Sequence, residues 1–182
     1  MPIYVAMLRG INVGAHKRIR MDKLRQSFEA LGFKKVQTYI QSGNVIFETA
    51  KASTLSLSNK IEQRIVADFG FAVSVVARTG DEMSAVISNN PFVKQSGVEL
   101  EKLHVMFLSA PPGASALKAL EGVTVAPDRS LCLGKEIYLQ LPNGVSQSSL
   151  MKGPLDRKLS VVTTTRNWKT VNTLHQMCKD CG

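Results

Sequence analysis

Leu8-Arg9-Gly10-Ile11-Asn12-Val13-Gly14-Ala15-His16-Lys17-Arg18-Ile19-Arg20, residues 8–20, joins an uncharged run at 3–8 to a helical pattern that begins at residue 21. The run reads as a strand covered on at least one face, and it is far shorter than the ~20 apolar residues of a membrane helix. Leu24, Phe28 and Leu31 then fall on one helical stripe, which stops at Gly32. The connection itself carries Arg9, Lys17, Arg18 and Arg20, the flexible Gly10 and Gly14, and an isolated Asn12.

Outward from this loop, Gln41-Ser42-Gly43-Asn44 is a turn signal between strands at 35–40 and 45–47, which predicts a hairpin. A helix over 53–69 ends at Gly70, and a strand follows at 73–77. The order is βαββαβ, the ferredoxin-like pattern. A short helix at 79–87 stops before Pro91, and residues 90–102 read as a linker.

The pattern then restarts. Strands are expected at 103–108, near 123–125, at 136–141 and at 161–165, with 131–133 open to either neighbouring strand. Helices are expected at 114–120, at 147–159 with a break at Gly153-Pro154, and at 167–178, where Asn167 or Thr165 serves as cap. The predicted fold class is α+β: two ferredoxin-like subdomains, residues 1–89 and 103–182, with an extra C-terminal helix in the second. No internal repeat is visible in the residues themselves.

The net charge of +9 is segregated. Lys and Arg exceed Asp and Glu by five in residues 1–50 and by four in 151–182, and the two signs balance across 51–150. Cations gathered at both ends suit an anionic small molecule or nucleic acid, although a solvated, solubilising surface reads equally well from composition alone. The N-terminus lacks a signal-peptide pattern, and three cysteines are an odd, sparse set of reduced thiols. These features predict a cytoplasmic protein without membrane segments.

Standard chemistry is missing from the motifs. Gly14-Ala15-His16-Lys17 lacks the Gly-Lys-Ser/Thr ending of a phosphate loop, no Gly-x-Ser-x-Gly elbow occurs, and no carboxylate pair falls near the basic loop. His175-x-x-Cys178-x-x-Cys181 has ligand-like spacing but closes the chain without a fourth ligand, and it reads as a frayed tail. No metal and no cofactor is expected.

In a βαββαβ unit strands one and two run parallel with strand three between them, so the first loop and the hairpin turn share one edge of the sheet. Arg9, Asn12, Lys17, Arg18, Arg20, Gln41, Ser42 and Asn44 are therefore the candidate ligand-binding residues, amides and hydroxyls beside cations. Three readings follow: a protein that binds an anionic ligand or nucleic acid there, an enzyme acting on a phosphorylated or carboxylated small molecule, and a structural protein that pairs as a homodimer.

The same residues carry a resemblance. Residues 7–14, Met21 with Leu24, residues 39–45 and Thr164-Thr165-Arg166-Asn167-Trp168-Lys169-Thr170-Val171 together resemble the bacterial domain-of-unknown-function family 1697. The resemblance spans essentially the whole chain. It implies an α+β fold of two ferredoxin-like subdomains and no established activity, and it adds Arg166 and Asn167 as binding candidates. Trp168 reads as core on periodicity.

Overall fold

The computed structural model describes every residue of the chain except Pro154. It divides into two compact units, residues 1–85 with 173–182, and residues 86–172. Among the described residues the architecture is mixed α+β, with two four-stranded antiparallel sheets and six helices. No described helix is long and apolar enough to cross a membrane.

The first unit follows the order β1 (Ile3–Leu8), α1 (Met21–Ala30), β2 (Lys34–Tyr39), β3 (Asn44–Glu48), α2 (Thr54–Phe69), β4 (Val75–Thr79), and the helix α3 (Gly80–Ser88) starts directly after it. Its sheet has the order β2-β3-β1-β4. Every residue of β1 after Ile3 is buried, as expected of a central strand flanked by β3 and β4. Tyr4, Ala6 and Leu8 pack with Val45 and Phe47 of β3 against Leu24 and Phe28 of α1 and Leu57, Ile61 and Ile65 of α2. Phe47 stacks on Phe33 at 4.5 Å and meets Phe28 edge-on at 5.5 Å.

Local signals set the helix ends. The Ser53 side chain accepts from Ser56 N at 3.1 Å, and Gly70 closes α2 in the left-handed conformation at φ 79°. At α3, Thr79 Oγ1 accepts from Glu82 N while Glu82 Oε2 accepts from Thr79 N, a reciprocal capping box.

The second unit contains β5 (Leu103–Leu108), α4 (Ala114–Val123), β6 (Arg129–Leu133), β7 (Glu136–Gln140), α5 (Leu155–Leu159) and β8 (Thr163–Asn167), in sheet order β6-β7-β5-β8. Met106, Leu108, Leu120, Ile137, Leu139 and Leu159 are among its core residues. Residues 90–102 pack as part of this unit: Phe92 is buried with the Arg129 guanidinium 4.7 Å from its ring centre, and Arg129 Nη1 donates to Gln95 Oε1. The last helix, α6 (Trp168–Cys181), begins where Asn167 Oδ1 accepts from Thr170 N at 2.8 Å.

Several expectations are corrected. No strand forms at 123–125; α4 ends there, with Thr124 Oγ1 donating back to Leu120 O, and the strand lies at Arg129–Leu133. Among the described residues the α-helix within 147–159 is confined to Leu155–Leu159, Gln147 ends a 3-10 turn over Val145–Gln147, and the expected break at Pro154 falls on the one residue outside the described set. β4 and β8 both start two residues later than read. The residues just before them, Ser74 and Val162, instead hold the chain leaving the first strand of each sheet, by Arg9 N to Ser74 O and Ser109 N to Val162 O, both 2.9 Å.

The tail is not frayed. The C-terminal turns of α6 dock on the first unit, where Lys35 Nζ donates to Cys181 O at 2.8 Å and Gln37 Nε2 to Cys181 Sγ at 3.0 Å. Cys178 and Cys181 are buried free thiols, and burial pushes the Cys178 thiol up to about 12. From the sequence alone residues 173–182 belong with the second half; in the structure they pack with residues 1–85.

Candidate functional site beside the first loop

The first loop and the hairpin turn are in direct contact. Asn12 sits in the left-handed region at φ 57°, and its side chain serves both partners. Nδ2 donates to Ile19 O at 2.9 Å and to Gln41 O at 2.8 Å, and Oδ1 accepts from Ile19 N at 2.9 Å. One amide thus closes residues 12–19 into a ring and ties that ring to the hairpin.

The hairpin is equally tight. Gly43 adopts φ 84°, its carbonyl accepts from Leu8 N at 2.8 Å, and a Cβ there would stand 2.6 Å from Ile11 Cδ1. Glycine is required on both counts. Asn44 is fully buried, and its Nδ2 donates to Tyr39 O and Ser42 Oγ. Ile40 is held at φ 50°, an uncommon conformation for a β-branched residue.

On the other side of the loop lies a cleft of about 540 Å³, within the range of small-molecule sites. Arg9, Gly10 and Lys17 line it from the loop, Glu62, Gln63 and Val66 from α2, and Ala72, Val73 and Ser74 from the segment entering β4. Lys17, at φ 51°, donates from Nζ to Ala72 O at 2.9 Å, which anchors the ammonium at the cleft wall with donors to spare. Glu62 Oε1 accepts from Val75 N at 2.8 Å, which fixes the carboxylate in place.

The predicted residues therefore separate. Arg9 and Lys17 line the cleft, whereas Asn12 and Gln41 build the loop-hairpin contact, Asn44 closes the hairpin turn, and none of the three is among the cleft-lining residues. Ser42 accepts from Asn44 within the turn. Arg18 is exposed outside the cleft lining, and Arg20 is paired with Asp22 at 2.9 Å on the surface at the start of α1.

Arg166 and Asn167 belong to the second unit. Arg166 is buried in β8, where Nη1 donates to Thr164 Oγ1 and Thr165 O, and burial pulls its guanidinium down to about 10. Asn167 is the cap of α6. Trp168 is buried, as its periodicity implied. Sequence reasoning missed Glu62, Gln63 and Ser74; the available signal was that Glu62 follows Ile61 at the border of the apolar stripe of α2, a position where an acid need not be fully solvated.

A model of the family described as "Protein of unknown function (DUF1697)" matches residues 1–138. The chain belongs to the DUF1697 family. The matched residues include both loops and the whole cleft lining, and the stretch at 164–171 lies beyond them. Among solved structures, this DUF1697 chain is similar to the conserved bacterial protein SP0830 from Streptococcus pneumoniae, at 26% identity and a TM-score of 0.76, over 97% of this chain and 98% of that one. No curated protein matches the chain.

Proposed function

We propose that this protein binds a compact anionic ligand in the cleft between the first loop and α2, with Arg9 and Lys17 as the cations that hold it. The observation that carries the reading is the placement of Arg9 and Lys17, from one loop, on the wall of a single cleft of ligand size. The left-handed backbone at Lys17 supports it, since non-glycine residues held in that region concentrate at binding loops. The exposed Arg18 adds a surrounding positive field that draws anions in.

A cytoplasmic setting fits the three free cysteines. The fold is read as a pair of ferredoxin-like subdomains, supported by the βαββαβ order of each sheet's strands and the helices between them.

Titration with ethyl phosphate, followed by amide chemical shifts, tests the site. Residues 9–10 and 72–75 should shift on binding. Arg9→Gln with Lys17→Gln should weaken the affinity about tenfold or more, the loss expected when a charge-assisted hydrogen bond is removed. Undiminished binding by the double variant would place the anion elsewhere.

A further inference from the structure

We infer that the ligand of this cleft is zwitterionic, a small phosphate monoester or comparable dianion that also carries an ammonium group, and that Glu62 receives the ammonium. The inference rests on the anion-binding reading above and goes further by assigning the second half of the ligand.

The wall of the cleft holds two cations, Arg9 and Lys17, and one carboxylate, Glu62. A purely anionic ligand would leave that carboxylate facing like charge, and a polyanion such as a nucleic acid strand would do so along its length. Glu62 does not swing away: it is half-buried on α2 and pinned through Oε1 to Val75 N at 2.8 Å. An ionised carboxylate offers about four acceptor positions, of which this bond takes one.

Nor is Glu62 already neutralised by a side chain. Among the described residues no ion pair includes it, and the cation two positions along α2, Arg64, is bound to Asp68 at 2.7 Å. Lys17 is directed onto Ala72 O. A ligand with an anion at one end and an ammonium at the other offers a partner both to the lining cations and to Glu62. Charge-assisted bonds at both ends fix its direction in the cleft, and the exposed Gln63 and half-buried Ser74 supply neutral polar groups to the wall.

Three probes of similar size separate the outcomes by calorimetric titration of the intact protein: phosphoethanolamine, glycerol 3-phosphate and ethyl phosphate. Phosphoethanolamine should bind about tenfold or more tightly than ethyl phosphate, the worth of a hydrogen bond between charged groups. Glu62→Gln keeps an acceptor for Val75 N and should abolish that preference while leaving ethyl phosphate bound as well or better. Equal affinities in the wild type, a preference unchanged in Glu62→Gln, or a preference met equally by glycerol 3-phosphate would overturn the ammonium assignment while leaving the anion site standing. Failure of all three probes to bind, or ethyl phosphate binding indifferent to Arg9 and Lys17, would remove the anion site and the ammonium assignment with it.

Discussion

Asn12 shows how a residue that reads as a ligand-binding group is instead consumed in building the loop that carries Arg9 and Lys17. Its amide bonds to both backbone groups of Ile19 and to Gln41 O, with a longer contact to Gln41 Oε1. Asn12→Ala would leave those groups to water or unpaired and would place a Cβ-bearing residue without a local hydrogen bond at φ 57°. A stability loss of about 1–3 kcal/mol in urea unfolding is expected, with phosphate-ester affinity falling because Lys17 loses its frame. Asn12→Gly should recover the backbone share of that loss and none of the hydrogen bonds. Asn44 and Gly43 are of the same kind, one closing the hairpin turn and the other admitting Ile11 against it. The sequence marks all three as special, and the role of each depends on which groups the neighbouring segment offers, which no single stretch contains.

At the scale of elements, α1 and α2 meet through a polar contact at the edge of the apolar core. Ser27 of α1 is buried and its hydroxyl donates to Asp68 of α2 at 2.6 Å, and Arg64, one turn earlier on α2, donates to the same carboxylate at 2.7 Å. The Arg64 bond first and the Ser27 bond second hold the Asp68 carboxyl below the ordinary carboxylate value. A carboxylate whose pKa is lowered by folding contributes stability that is fully present above its unfolded pKa and is lost as pH falls through the folded one. The stability difference between wild type and Asp68→Asn should therefore be full at neutral pH, begin to shrink near pH 4, and vanish once Asp68 is protonated in the folded state. Because the site is largely exposed, the whole effect should stay within about 1 kcal/mol. Urea unfolding of both proteins at pH 7, 5 and 3 checks the sign and the window. The strands and helices of the first unit were largely legible because their boundaries coincide with local chemistry, Ser53 and Gly70 around α2 being the plainest case. β6 was not, since Leu131 and Leu133 face solvent from the edge of its sheet while Cys132 packs against the core, and three apolar residues in a row hide that alternation.

For the molecule as a whole, the +9 charge makes nonspecific attraction to RNA unavoidable at low ionic strength. The cleft reading separates that attraction from the function. Binding of a short single-stranded RNA should fall steeply between about 50 and 200 mM salt, and Lys17→Gln with Arg18→Gln and Arg20→Gln should flatten its salt dependence. Phosphoethanolamine, held by few charges inside a cleft, should lose far less over the same range. Persistent RNA binding at the higher salt, measured by fluorescence polarisation, would favour a nucleic-acid surface instead. The two units also carry an echo: Arg78 and Arg166 are both buried, each next to last in the closing strand of its sheet, each opposite a valine, and each donating Nη1 to the carbonyl of the preceding residue. By itself the sequence determined the order of elements in the first unit, the hairpin, the helix caps and the adjacency of the two loops, because periodicity, turn chemistry and the handedness of the βαβ crossover act over short spans. Tertiary structure alone decided which polar groups line the cleft: a hydrogen bond to the distant hairpin consumed Asn12, the hairpin turn itself consumed Asn44, burial took Arg166 into its own strand, and the packing of α2 beside the loop brought Glu62 into one cleft with Arg9 and Lys17.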